Sequence, residues 1–199
     1  MVEAFPLSPN GNSNPARRAN RLLNTVGWFR RIGEALLVAR RSLAGVASLA
    51  WMGIIWWTSS FSPPPAPRQY GWRSVAQNFL HAPAYGFLAL LFILALPRRG
   101  KWPQFTRAEQ VLVVLGALSY GIVDELHQSQ VPNRDLSVLD LASDITAPIC
   151  VLIIISYLGR AGATESGLAR RFVLGLLACL ACATAAAYAP RFFPEIAWF

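Results

Sequence analysis

The residues best suited to chemistry lie in one stretch of the chain, residues 120–144. This stretch holds five of the ten acidic residues, one of the two histidines and an isolated arginine, and strongly apolar segments lie on both sides of it. Charged groups this close to long apolar segments are costly unless they face a protein or water-filled interior. We therefore expect a functional site here.

Helical spacing divides these residues among faces that could meet. Glu125 and Gln128 share one face of a predicted helix, and Asp124 lies on a neighbouring one. Asp140 and Asp144, four residues apart, share a face of the next helix. His81 and Tyr85, also four apart, lie on an earlier apolar helix, beside Pro83.

A set of carboxylates with a histidine and an arginine is typical of acid–base chemistry or anion binding. Glu125 or an aspartate would act as a base, His81 would act as an acid or orient the base, and Arg134 would hold a phosphate or carboxylate. Pro132 and Asn133 indicate a turn that folds Arg134 back over the acidic helix ends. The predicted catalytic residues are Glu125, His81, Asp140 and Asp144, and the predicted ligand-binding residues are Arg134, Gln128, His127, Tyr85 and Asp124.

The elements that carry these residues read as membrane spans. Hydrophobic residues make up 54% of the chain and charged ones 14%, and uncharged apolar runs of about 18 residues recur, as in multi-span helical proteins. We predict an all-α integral membrane protein with a bundle of about five transmembrane helices. The predicted spans are Leu43–Phe61, Phe79–Leu96, about Ala108–Gln128, about Leu139–Leu158 and Phe172–Ala189.

The basic residues predict the orientation of this bundle. With the N-terminus inside, 14 of the 18 basic residues fall on cytoplasmic segments, as the positive-inside rule requires. The third span has only about 21 Å of uncharged helix between Glu109 and Asp124, against a hydrocarbon core of about 30 Å. The carboxylates therefore belong at the extracytoplasmic interface, and His81 lies at the same depth.

We expect no nucleic-acid partner, although the formal net charge is +8. The basic residues cluster at the ends of apolar segments, where membrane topology accounts for them. Cys179 and Cys182 form a C-x-x-C inside an apolar span, which indicates small-residue packing. We expect no cofactor and no metal, and we expect a multi-pass protein of the cell (inner or cytoplasmic) membrane.

The order of the polar residues resembles that of the VanZ-like family of small bacterial membrane proteins. The matching pieces are H-A-P-A-Y at 81–85, D-E-L-H-Q-S-Q-V-P-N-R at 124–134 and S-V-L-D-L-A-S-D at 137–144. The resemblance covers residues 78 to 158, under half of the chain. It departs from the family at Gln130 in place of an aromatic residue, and at Asn133 and Ala147 in place of glycine.

The resemblance implies a four-span VanZ-like core over residues 42–158, after a disordered and basic cytoplasmic arm at 1–41 and before a basic loop and fifth span at 159–199. The family's namesake is linked to low-level resistance to teicoplanin, a lipoglycopeptide that acts on cell-wall precursors. We expect a polar site that binds or modifies a cell-envelope component, with a membrane lipid or lipid-linked precursor as partner. The oligomeric state stays open.

Three alternatives follow from the same residues. The first is a non-enzymatic binding or resistance factor that uses them as a recognition pocket, so that catalysis itself stays open. The second is a metal-dependent membrane hydrolase, because suitable ligands are present at His81, His127, Glu125, Asp140 and Asp144. No dense His/Cys spacing accompanies these ligands. The third, proton-coupled transport, has little support because five short spans leave little room for inverted repeats.

Overall fold

The structure is a computed structural model that describes residues 25–36, 41–62, 71–97, 99, 102–134 and 138–192. For residues 190–192 it describes the backbone alone. These residues form helices and connecting turns, without strands. The helices are α1 (Thr25–Leu36), α2 (Arg41–Ser59), α3 (Trp72–Phe79), α4 (His81–Ala95), α5 (Arg107–Gln128), α6 (Val138–Leu158) and α7 (Glu165–Phe192). The prediction of an all-helical chain is confirmed.

Four helical segments are long and apolar enough to cross a membrane, namely Trp72–Ala95, Arg107–Gln128, Val138–Leu158 and Glu165–Ala189. A fifth is reached if α1 and α2 are taken together as one broken span. Only 22–33% of the most apolar window of each segment is buried inside the protein. Most of the apolar side chains therefore point outward, which is consistent with a multi-pass membrane protein.

Two predicted spans begin earlier in the structure than in the sequence prediction. The second was predicted from Phe79, but α3 already begins at Trp72 and joins α4 at Leu80, whose backbone stays in the right-handed helical region. Pro83 has no N–H to donate to the carbonyl of Phe79, which accounts for a break at this point. The fifth was predicted from Phe172, whereas α7 begins at Glu165 and includes part of the expected basic loop.

Helix α4 lies at the centre of the bundle, where it packs against α2 and α6, and α6 also packs against α5 and α7. The main apolar cluster contains Ile55 of α2, Tyr85 and Leu88 of α4, and Ala117 and Tyr120 of α5. Because these helices meet along their length, the ends of α2 and α5 lie beside the beginnings of α4 and α6. We call this end of the bundle the polar end.

The opposite end is held by short local contacts. A capping box starts α5, in which Glu109 N–H donates to Thr106 Oγ1 at 3.2 Å and Thr106 N–H donates to Glu109 Oε2 at 2.9 Å. Arg99 donates to the same carboxylate at 2.6 Å. Helix α1, part of the arm predicted to be disordered and basic, packs here: Val26 is buried in a cluster with Tyr157 of α6. Residues 1–24 and Ser137 lie outside the described residues.

Candidate functional site

Three side chains from three helices converge at the polar end. His81 is the first residue of α4, Glu125 lies in the last turn of α5, and Asp144 lies in the second turn of α6. One potential ligand atom of each lies within 4.8 Å of those of the other two. His81 Nδ1 is 3.0 Å from Asp144 Oδ1, the distance of a hydrogen bond in which the imidazole donates to the carboxylate. We call these residues the His81–Glu125–Asp144 cluster.

The sequence makes room for this cluster at Gly121. A methyl group on Gly121 would lie 2.9 Å from Asp144 Oδ2 and 3.3 Å from Asp144 Cβ and Leu141 Cδ2. Only a residue without Cβ lets α5 approach α6 this closely, so Gly121 sets the position of the Asp144 carboxylate.

Pro148 lies one turn after Asp144, inside α6. In a regular helix, the carbonyl of Asp144 would accept a hydrogen bond from the backbone N–H of residue 148. Proline has no backbone N–H, so this hydrogen bond is missing. Irregular backbone of this kind at membrane depth is tolerated where it is buried in protein or lines a cavity. Pro148 thus leaves the backbone carbonyl of Asp144 as a polar group near the Asp144 carboxylate.

A second polar group of residues lies beside the cluster and links α2 to α5. Ser59 Oγ and Gln128 Nε2 both donate to Asp124 Oδ2, at 3.0 and 2.8 Å. Gln128 in turn accepts a bond from Arg134 Nη1 through its Oε1, at 2.8 Å. These contacts form a chain from Arg134 through an amide to a buried carboxylate, and they fix the side chain of Gln128 in one orientation.

A cleft of about 450 Å³ opens beside these two groups. Its lining combines apolar side chains of α2 and α4 with carboxylates, amides, a histidine and an arginine. The polar lining residues are Thr58, Ser59, Gln77, Asn78, His81, Tyr85, Asp124, Gln128, Asn133, Arg134 and Asp140. Glu125 and Asp144 are 2% and 0% exposed and lie behind this lining, so that only His81 belongs to both the cluster and the cleft.

The cleft collects most of the residues predicted from the sequence. Tyr85 is fully buried, and its hydroxyl has no hydrogen-bond partner among the described residues. Asp140 lies one turn before Asp144 on α6 and faces the cleft. The structure therefore brings His81, Tyr85, Asp124, Gln128 and Asp140 together at one end of the bundle.

His127 was predicted to bind the ligand, and the structure places it elsewhere. Its ring stacks on Trp56 with the centroids 3.8 Å apart, and its Nε2 lies 2.9 Å from Ser60 Oγ. His127 follows Glu125 by two residues on the same helix, so the two side chains point to different sides of α5. The structure thus assigns His127 to the contact between α5 and the end of α2.

Arg134 folds back over the acidic helix ends, as the Pro132–Asn133 turn predicted. Its backbone N–H donates to the carbonyl of Val131 at 3.2 Å. Asn133 adopts a positive φ of 63°, a conformation that asparagine tolerates and glycine favours.

The Arg134 side chain is held by neutral oxygens in the described part of the chain. Its hydrogen-bond acceptors among the described residues are Gln128 Oε1 and the carbonyl of Phe61, not a carboxylate.

Ser59, Gln77 and Asn78 are site residues that the sequence interpretation missed. Ser59 lies near the end of the first predicted span, where a hydroxyl is typical of a helix end. Gln77 and Asn78 directly precede the second predicted span. The signal for Gln77 and Asn78 was their position about one turn before His81, at the start of an apolar segment. Only the packing of α2 and α3 shows that they face the same cleft as Arg134.

Comparisons with protein-family models, curated proteins and solved structures find no match for the chain. The resemblance to the VanZ-like family therefore stays a prediction, and the site is interpreted from its own geometry. That geometry offers hydrogen-bond acceptors, one guanidinium and one imidazole around a cleft, with two further carboxylates buried behind the imidazole.

Proposed function

We propose that this chain is a VanZ-like multi-pass protein of the bacterial inner membrane. Its N-terminus is cytoplasmic and its polar end lies at the extracytoplasmic face. The orientation follows from the 14 basic residues assigned to cytoplasmic segments. The outward-facing apolar side chains of the four long helices support the insertion.

We further propose that the cleft binds the headgroup of a lipid-linked envelope precursor. The observation that carries this proposal is the composition of the lining. Carboxylates and amides accept hydrogen bonds from the hydroxyls of a sugar, and Asp140, Asn78 and Gln77 provide them. Arg134 provides a cation for a phosphate. A purely anionic ligand would be repelled by Asp124 and Asp140, whereas a phosphate that carries a sugar meets both kinds of group.

Arg134 is available for a phosphate because the groups that hold it in the described part of the chain are neutral. It donates to the amide oxygen of Gln128 and to the carbonyl of Phe61, and neither cancels its charge. It is partly buried at the wall of the cleft, where a charge-assisted hydrogen bond is stronger than in bulk water.

The placement of Glu125 favours ligand binding over direct catalysis by that residue. Glu125 and Asp144 lie behind the cleft lining, whereas the titratable side chains of the lining beside Arg134 are His81, Tyr85, Asp124 and Asp140. We therefore assign Glu125 and Asp144 the role of holding His81 in place, and the recognition of the ligand to the lining residues.

Native mass spectrometry of the protein in mild detergent tests this function. We expect saturable binding of a polyprenyl-diphosphate-linked sugar, and weaker binding of phosphatidylglycerol, which lacks the diphosphate-linked sugar. Arg134→Ala should weaken precursor binding by about tenfold or more, the effect of losing one charged hydrogen bond. Arg73→Ala, an exposed arginine of α3, is the matched control and should bind like the wild type. Equal binding of both lipids, or equal loss in both variants, would contradict the proposal.

A further inference from the structure

The His81–Glu125–Asp144 cluster brings an imidazole and two carboxylates from three helices within 4.8 Å of one another. We propose that this cluster binds one divalent first-row transition-metal ion, with Zn²⁺ as the best fit. From the sequence, a metal site was only an alternative, because no dense His/Cys spacing accompanies these ligands. The proposal goes beyond the function of the cleft and does not depend on it.

The donor set fits zinc chemistry. Imidazole nitrogen and carboxylate oxygen are both common zinc ligands, at about 2.0–2.2 Å, and sites with three protein ligands keep a fourth position open. Two ligands of a tetrahedral ion at that distance lie about 3.4 Å apart. His81 Nδ1 and Asp144 Oδ1 are 3.0 Å apart, and the remaining separations, of 4.8 Å at most, close with side-chain shifts on the order of 1 Å. Mg²⁺ and Ca²⁺ prefer oxygen ligands, so the histidine favours a transition metal.

The charge balance at the polar end favours a bound cation. Asp124, Glu125 and Asp144 are each at most 2% exposed. The Asp144 carboxylate forms an ion pair with His81, and the hydrogen bonds that Asp124 accepts come from the neutral side chains of Ser59 and Gln128. Each desolvated carboxylate costs several kcal/mol unless it is compensated. A divalent ion would offset two of these charges at the place where two carboxylates meet.

A separate observation concerns the second oxygen of Asp144. Oδ1 contacts His81, whereas Oδ2 is buried and has no hydrogen-bond partner within the described part of the chain. This oxygen faces α5, where it would lie 2.9 Å from a methyl group on Gly121. Buried polar atoms in proteins are nearly always partnered, and an orphaned one calls for a specific explanation. Oδ2 can therefore still bind a metal ion on the side of α5, the helix that carries Glu125.

Binding through Nδ1 requires the imidazole to lose the proton that it otherwise donates to Asp144. Metal binding therefore releases protons, and zinc affinity should fall as the pH is lowered. A cluster that merely shares a proton between His81 and the carboxylates would show no zinc uptake at any pH. The two accounts of the same geometry are thus separated by measuring zinc directly.

The test uses the full chain without an affinity tag, purified in mild detergent, stripped with EDTA and reloaded with Zn²⁺. Elemental analysis should find one zinc ion per chain. Because even changes behind the direct ligands cost about 10–100-fold in metal affinity, His81→Gln and Glu125→Gln should each weaken binding by about 100-fold or more. His127→Gln and Glu109→Gln are the matched controls, since they change the other histidine and another glutamate of α5. Both controls should retain zinc.

A measurement on the unchanged protein covers variants that fail to fold. Co²⁺ should bind the stripped wild type with visible d–d absorption and be displaced by stoichiometric Zn²⁺, whereas excess Mg²⁺ should not displace it. A stripped wild type that takes up neither Zn²⁺ nor Co²⁺ would overturn the proposal. Equal loss of zinc in His127→Gln and His81→Gln would overturn it as well. Zinc uptake without precursor binding would refute only the function proposed for the cleft.

Discussion

The imidazole of His81 and the carboxylate of Asp144 lie 3.0 Å apart, although 63 residues separate them in the chain. The first residue of α4 and the second turn of α6 meet here because both helices begin at the polar end. His81 is partly exposed to the cleft, whereas the Asp144 side chain is 1% exposed. The pair therefore connects the surface that a ligand would contact to the buried acidic interior.

The first prediction concerns this pair. Removing one member of a buried ion pair typically costs about 3–5 kcal/mol, because the other charge stays buried without compensation. His81→Gln and Asp144→Asn should each lower the free energy of unfolding by about this amount, measured by denaturation in mixed micelles with EDTA present. The double variant should cost clearly less than the sum of the two. Strict additivity would show that the two side chains are not coupled.

The second prediction concerns the approach of α5 to α6 at Gly121. Gly121→Ala places a methyl group 2.9 Å from Asp144 Oδ2, and overpacking of this kind costs about 1–3 kcal/mol. Gly53→Ala on α2, where an added methyl meets nothing within 4 Å, is the control and should be neutral or slightly stabilising. Thermal unfolding in detergent measures both. An unchanged Gly121→Ala protein would show that the helices can separate here at little cost.

The third prediction concerns the strength with which Arg134 is held. Because its contacts among the described residues are hydrogen bonds to neutral oxygens, Arg134→Ala should cost about 1.5–3 kcal/mol, the range for hydrogen bonds to charged groups. A buried ion pair would cost more. Arg73→Ala should stay within about 0.5 kcal/mol of the wild type, as exposed changes usually do. A loss above 4 kcal/mol for Arg134→Ala, read from the same denaturation experiment, would indicate a direct carboxylate partner.

The fourth prediction concerns orientation. Reporter fusions after Arg107, at the start of α5, should give a cytoplasmic signal, and fusions after Asn133, between α5 and α6, should give an extracytoplasmic one. The basis is the distribution of basic residues. The reversed pattern would move the polar end to the cytoplasm and exclude a ligand at the outer face.

Much of the fold could be predicted from the sequence, because the strongest signal in it is the length of apolar runs. α5 and α6 were predicted to within a residue of their observed bounds. The start of α7 was missed because Arg170 and Arg171 read as a loop. In the structure Arg171 lies 3.7 Å over the ring of Tyr157, a contact between helices that no local pattern contains.

The sequence predicted which residues form the site better than it predicted the contacts between them. Carboxylates and a histidine beside apolar segments are unusual enough to indicate a common interior, and five of them do meet. His127 and Glu125 could not be separated in advance, since what distinguishes them is a tertiary contact, the stacking of His127 on Trp56. The hydrogen bond from Ser59 to Asp124 is likewise visible only once α2 and α5 are packed together.

Photo-crosslinking tests the central claim most directly, namely that the cleft at the polar end binds a lipid-linked precursor. The probe is a polyprenyl-diphosphate-linked sugar with a photoreactive group on the sugar, in membranes that contain the full chain. We predict adducts on the cleft lining, at Asn78, Arg134 or Asp140, with labelling reduced by unlabelled precursor and by Arg134→Ala. Adducts confined to outward-facing side chains such as Leu112 and Leu174, with no effect of competitor, would contradict the account.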